Sequence, residues 1–338
     1  MENRRIIFTK PRVAELQIHE IDDPAPNEVQ VKLLISTISS GTERSNILGS
    51  TTVSWSRPEE PEPIFPRALG YSSSGVVTKV GANVKNFAEG DRVGLSWSTH
   101  SEYLNIVANN VHKLDDSISL SDGALAHIAT FPLAAIRKCR FEVGESAIVM
   151  GMGVLGMFAV QLLKISGAAP IIAVDPNPQK REQALTLGAD YAFDPFAPDF
   201  AKTVKELTYG GANIGIEVTG VGAGLNGILD CMARFGRVAL LGCTRESDFT
   251  IDYYRKVHGP GVTLVGAHTN ARPRGESSHG WWTERADFEA VLKLTKFGRI
   301  KLSSLVEEVH SPNEAPEVYT RLCDEKTFPL VQFDWSKL

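Results

Sequence analysis

Residues 147 to 175, AIVMGMGVLGMFAVQLLKISGAAPIIAVD, constrain the fold more than any other stretch of this chain. An apolar run, Ala147 to Met150, enters the turn Gly151-Met152-Gly153-Val154-Leu155-Gly156. An apolar pattern of helical spacing follows, and a second apolar run, Ile171 to Val174, stops at Asp175. Strand, glycine turn, helix, strand and acid in that order make a βαβ unit. Gly151 permits the tight turn, Gly153 lets a pyrophosphate approach the backbone, and Gly156 lets the helix pack on the strand. A pyrophosphate there meets the N–H groups of the first helical turn, around Val154 and Leu155, and the positive end of the helix dipole. Asp175 lies about 20 residues on, where a carboxylate accepts from ribose hydroxyls and repels a 2′-phosphate. The unit therefore predicts a dinucleotide site that prefers NAD(H) to NADP(H). Lys180 falls early in the next helix, within reach of the ribose; together with Arg181 it also offers charge that would compensate a phosphate.

The alternation continues beyond this unit. Apolar strands recur at 214–218, 237–242 and 262–267, with helical segments near 179–187, 199–208 and 222–234. That is a parallel, doubly wound α/β sheet. Ligands bind at the carboxyl ends of such strands, which makes Val218 and Thr219, and then Gly242, Cys243 and Thr244, further cofactor candidates. Residues 1 to about 120 read differently: short strands such as 29–35, 75–81 and 91–95 are punctuated by glycine, the habit of a small β-barrel. Residues 50–66 are proline-rich and polar, which predicts a surface loop or lid. Asp122 to Lys138 reads as helix, Asp287 to Lys296 as an amphipathic helix, and the tail from 300 as short strands.

Composition narrows the partners. The formal net charge of −5 gives no basic surface for nucleic acid or anionic lipid. No apolar run approaches the ~20 residues of a membrane span, and the N-terminus MENRRIIFTKPR lacks the apolar core of a secretory signal. Cys139, Cys231, Cys243 and Cys323 lie far apart without zinc-knuckle spacing, which predicts free thiols in a reducing cytoplasm.

The order of several short pieces resembles the medium-chain dehydrogenase/reductase superfamily, the relatives of zinc alcohol dehydrogenases. The pieces are Ser40-Gly41-Thr42-Glu43, Leu69-Gly70-Tyr71-Ser72-Ser73-Ser74-Gly75, Glu89-Gly90-Asp91-Arg92-Val93, Val143-Gly144-Glu145, the turn at 151–156, and Gly236-Arg237-Val238. The resemblance runs almost end to end. It implies a GroES-like β-barrel catalytic domain at 1–121, a Rossmann domain at 122–268, a return to the catalytic domain at 269–338, an active site in the cleft between domains, and a homodimer formed through the sheet edge at 262–267. It also implies that Thr130 stands near the nicotinamide.

The departures from the family carry as much information. Zinc members have a cysteine where this chain has Ser40 and a His-Glu pair where it has Tyr71-Ser72. They place a third ligand near Ala126-His127, and many carry a four-cysteine lobe that is missing here. A catalytic zinc needs about three thiolate, imidazole or carboxylate donors, so no metal is expected. The resemblance then points to Thr42, Tyr71 and His127 as the groups that handle the proton of an alcohol/carbonyl pair. Ser40, Trp97, His100, His268, Asn270 and Arg272 are candidates for substrate binding, and their polar and aromatic mixture suggests a sugar, polyol or sugar acid. Two alternatives stay open on the sequence: reduction of a quinone or enone, and a non-catalytic dinucleotide-binding protein.

Overall fold

The computed structural model describes residues 1–50, 65–244, 247 and 249–338. The loop expected at 50–66 lies almost wholly outside them. The chain opens on β1 (Glu2–Lys10), β2 (Val13–Glu20), β3 (Glu28–Thr37), α1 (Ser40–Ile47), β4 (Arg67–Ala68), β5 (Ser72–Val80), β6 (Arg92–Ser96), β7 (Tyr103–Val107), β8 (Val111–Lys113) and α2 (Leu120–Lys138). The alternating half follows as β9 (Ala147–Met150), α3 (Val154–Ser166), β10 (Ile171–Val174), α4 (Pro178–Leu187), β11 (Tyr191–Phe193), α5 (Phe200–Leu207), β12 (Ala212–Glu217), α6 (Gly222–Asp230), β13 (Met232–Leu240) and β14 (Thr263–Gly266). The tail adds α7 (Glu284–Lys296), β15 (Glu308–His310), α8 (Ala315–Asp324) and β16 (Val331–Asp334).

Two compact units result, one from 1–128 with 288–338 and the other from 129–287. In the first, β3 pairs with β5, β7 and β16, and β5 runs on to β6 and β8. Val29, Val31 and Leu33 of β3 pack with Phe8, Val93, Leu95, Tyr319 and Phe333 in one core. The register sets Ser36 opposite Ser73 and Ser72 opposite Ser96, so the end of β3, the start of β5 and the end of β6 lie side by side. In the second unit six strands run in the order β11-β10-β9-β12-β13-β14, and every pairing is parallel. Strands β9 and β10 are buried at all four positions, as a sheet covered on both faces requires. The order turns back between β9 and β12, the switch point where such sheets bind ligands.

Three differences from the sequence reading have local causes. The helix expected to 234 ends at Asp230, because β13 already pairs Met232 with Ala212; the register then shifts through a bulge at Phe235, φ +61°. The tail is not only strands: Ser311 and Glu314 form a capping box, and Val318, Tyr319 and Leu322 bury one face of α8. Residues 269–287 stay with the dinucleotide unit rather than leaving it at 269. Arg272 donates to the Thr130 carbonyl and hydroxyl at 3.0 and 3.1 Å, and Asp287 accepts from Arg137 at 2.5 Å.

Candidate active site

The barrel's chemistry gathers where β3, β5 and β6 end together. Tyr71 precedes β5 and Trp97 follows β6; the Trp97 amide donates to the Tyr71 carbonyl at 2.8 Å, which fixes one ring beside the other. Their centroids stand 6.2 Å apart. His127, fully buried on α2, completes the cluster edge-on, 5.7 Å from Tyr71 and 4.9 Å from Trp97. The helix is held to the sheet by hydroxyls. Thr37 and Ser72 both donate to the Ala124 carbonyl, at 2.8 and 2.7 Å, and Ser74 donates to the Leu120 carbonyl. Trp97 has φ +60°, a strained backbone for a bulky side chain, yet 40% of it stays exposed. An aromatic face held at that cost and left open is what a ring-stacking ligand would use.

Tyr71 is met by the hydroxyl of Ser39, a residue the sequence reading did not name. Ser39 Oγ and the Tyr71 phenolic oxygen share a short hydrogen bond. Ser40 and Thr42 lie half-buried on the first turn of α1, where the Thr42 carbonyl accepts from Asn46. Behind them is a buried network. Glu43 accepts from the Ser39 amide at 2.8 Å and from the Tyr319 hydroxyl at 2.5 Å, and pairs with His100 Nε2 at 3.2 Å. Burial and the neighbouring Glu43 carboxylate hold the Tyr319 phenol well above its ordinary range. His100 Nδ1 bonds Ser36 Oγ at 2.7 Å, and that oxygen also accepts from Trp335. His100 therefore does not line a substrate wall as expected; it is 1% exposed and braces α1.

In the second unit the glycine turn suits a dinucleotide. Gly151 has φ +102°, and a Cβ on Gly156 would stand 1.9 Å from the Gly151 carbonyl oxygen. A Cβ on Gly153 would meet nothing within 4 Å, so the backbone lies open at the N-terminus of α3, beside Val154 and Leu155. Asp175 closes over this turn, its carboxylate accepting from the Met152 and Asn177 amides at 2.8 Å each. Arg181 is turned inward, onto the carbonyls of Asp175 and Pro176. Lys180 is half-buried in the first turn of α4, which Asn177 caps. The loops after β12 and β13 are pressed together: a Cβ on Gly242 would stand 2.3 Å from the Gly220 nitrogen, and one on Gly220 would stand 2.7 Å from the Cys243 oxygen. This brings Val218, Thr219, Gly242, Cys243 and Thr244 to one edge, with Cys243 and Thr244 exposed. Glu217, which the sequence reading missed, ties this edge by accepting from the Thr219 amide and hydroxyl and the Gly220 amide. Burial pushes its carboxyl up against the pull of those bonds. The available signal was an acid ending an otherwise apolar strand.

Other expected substrate residues belong to the second unit. The Arg272 side chain is 5% exposed and committed to Thr130 and to Asp287, 3.3 Å away. That carboxylate is itself fully buried between Arg137 and Arg272. His268 and Asn270 lie exposed on a turn that the Asn270 amide closes onto His268 Nδ1. Trp281 and Trp282 sit against the cations of Lys138 and Arg137.

Comparison with known proteins places this geometry. The alcohol dehydrogenase GroES-like domain model matches residues 26–158 and the zinc-binding dehydrogenase model residues 154–294. A D-guloside 3-dehydrogenase of Escherichia coli K12 is 24% identical over 95% of this chain and 96% of its own. An alcohol dehydrogenase of Escherichia coli CFT073, solved with NADH, superposes with TM-score 0.83 at 18% identity over 99% of each chain. A Sinorhizobium meliloti 1021 protein solved with NADP gives 0.82 at 18%, again over 99% of each. The chain belongs to the zinc-type medium-chain dehydrogenase/reductase superfamily. It is an alcohol dehydrogenase-like oxidoreductase with a GroES-like barrel and a Rossmann sheet. The donor set does not fit a catalytic zinc: the positions offer the hydroxyls of Ser40, Tyr71 and Ser72, and Ser72 already donates to Ala124. Among the described residues, no group of three or more His, Cys, Asp or Glu is placed to hold a metal ion.

Proposed function

We propose that this protein is a zinc-independent, NAD(H)-dependent oxidoreductase that interconverts a secondary alcohol and its carbonyl on a sugar, polyol or sugar acid. The observation that carries the reading is the cluster of Tyr71, Ser39, His127 and Trp97, built around a tyrosine that the resemblance sets at a zinc-ligand position. A nicotinamide dinucleotide held at the 151–156 turn supplies or takes the hydride. The residues of this chain handle the rest. Tyr71 gives a proton to the carbonyl oxygen during reduction and, as phenoxide, takes it from the alcohol during oxidation. His127 and Trp97 hold the phenol in place, and the exposed Trp97 face stacks on the substrate ring. Thr42 is retained as a second hydroxyl on α1 for the reacting oxygen.

NAD(H) is supported over NADP(H) by the fixed Asp175 carboxylate beside the turn and by Arg181, whose guanidinium is spent on backbone carbonyls. A sugar-type substrate is supported by the D-guloside 3-dehydrogenase relative, which matches nearly the whole chain. The test is a turnover screen of methyl glycosides, polyols and sugar acids with NAD+, against quinones and enones with NADH and NADPH. Turnover confined to the first group supports the proposal. Turnover confined to quinones or enones replaces it with a double-bond reductase, and cofactor binding without turnover replaces it with a non-catalytic role.

A further inference from the structure

We propose that Ser39, which no motif singles out, is the positioning residue of Tyr71; the inference rests on the reading of Tyr71 as the proton donor. An N-cap serine ordinarily spends its hydroxyl on an amide of the first helical turn, a bond worth ~1 kcal/mol. Ser39 is the N-cap of α1, with φ −93° and ψ 89°, and its side chain makes no capping bond. Its hydroxyl is turned to the Tyr71 phenol instead. The helix end gives up a stabilising contact, and the phenol gains a partner.

The backbone of Ser39 is fixed for this purpose. Its amide donates to Glu43, and Glu43 is held by Tyr319 and His100, which in turn is held by Ser36. All four of these braces are at most 1% exposed, and Ser39 itself is 8% exposed. A group held by a packed, hydrogen-bonded surround keeps its geometry through a reaction. A serine hydroxyl both donates and accepts, so it serves either state of the phenol. In reduction, the Tyr71 O–H bond breaks as the O–H bond of the product alcohol forms. The phenoxide left behind accepts from Ser39, and a proton from water restores the phenol. Donation to the charged form favours that form, so Ser39 eases the ionisation of Tyr71.

His127 on α2 faces Tyr71, and Glu43 on α1 holds the Ser39 amide. The experiment is a spectrophotometric titration of tyrosine in the full-length protein without cofactor or substrate, with the Tyr71 signal isolated by difference from Tyr71→Phe. Ser39→Ala moves that signal to higher pH, and Ser39→Thr, which keeps a hydroxyl, restores it. In turnover assays Ser39→Ala lowers kcat about ten- to a hundredfold, the worth of a hydrogen bond to a charged group. Its KM for NAD+ is unchanged. An unmoved titration in a folded Ser39→Ala protein overturns the assignment. A moved titration with normal turnover in both Ser39→Ala and Tyr71→Phe supports the Ser39–Tyr71 coupling and overturns the reading of Tyr71 as proton donor.

Discussion

Two side chains carry most of the residue-scale account. Asp175 is held with both carboxylate oxygens on backbone amides at the nucleotide turn, so it cannot swing aside for a phosphate at small cost. Like-charge repulsion at contact distance exceeds the ~1.4 kcal/mol that makes a tenfold difference in affinity. Calorimetry is expected to show NAD(H) binding at least about tenfold more tightly than NADP(H), with the gap narrowed in Asp175→Ser. Equal affinities in the unaltered protein would count against the role given to Asp175. In the proposed mechanism Tyr71 carries the proton. Tyr71→Phe is expected to lower turnover by about 10²–10⁴-fold, the usual range for a general acid, and His127→Ala to lower it less, with NAD(H) affinity kept in both. Near-normal turnover in Tyr71→Phe and His127→Ala, and in Thr42→Val as well, would move the proton to another group. The resemblance singled out Tyr71, which replaces a metal ligand, and His127, which lies beside another ligand position, and the structure sets their rings together. It gave no reason to name Ser39, because spacing alone does not say which serine at a helix cap turns its hydroxyl to a neighbouring ring. It named His100 because an imidazole after a barrel strand is indistinguishable, in one dimension, from the buried brace it proves to be.

At the scale of elements, legibility followed local physics. Strands β9 and β10 fall at the residues read for them, since four apolar positions ended by Gly151 in one and bounded by Pro170 and Asp175 in the other leave little choice of limits. The helix α8 went unread although its signals are local: Ser311 and Glu314 have capping-box spacing, and Val318, Tyr319 and Leu322 share one apolar face. The turn between β9 and α3 makes a sharp prediction. A methyl at 156 would overlap the Gly151 carbonyl oxygen, so Gly156→Ala is expected to destabilise by at least ~1–3 kcal/mol and to abolish NAD(H) binding. Thermal melting with and without NAD(H) checks both effects. Among the described residues, strand β14 ends the parallel sheet with Thr263 and Leu264 exposed and no strand paired beyond it. An edge of that kind invites a second copy of the chain. Light scattering at micromolar concentration is expected to give a dimer mass, and Leu264→Lys to shift it toward monomer; a monomer mass for the unaltered protein would refute the pairing.

The whole molecule combines a dinucleotide sheet typical of its superfamily with a barrel in which Ser40, Tyr71 and Ser72 stand where the resemblance leads one to expect metal ligands. The fold class was legible, because the βαβ unit, the strand-end glycines and the order of short motifs all agree; α8 and the place where the chain leaves the dinucleotide unit were not. The site was legible only in part: Ser40, Tyr71 and Ser72 are poor donors for a metal, and only the structure shows the phenol, imidazole and indole packed together. The central claim is that this arrangement oxidises an alcohol without zinc. The most direct test measures NAD+ reduction by the purified protein, on the substrate the screen identifies, before and after exhaustive dialysis against a chelator, with elemental analysis of the same samples. The account predicts no stoichiometric zinc and an unchanged rate. About one zinc per chain, with activity lost on chelation and restored by zinc alone, would contradict it.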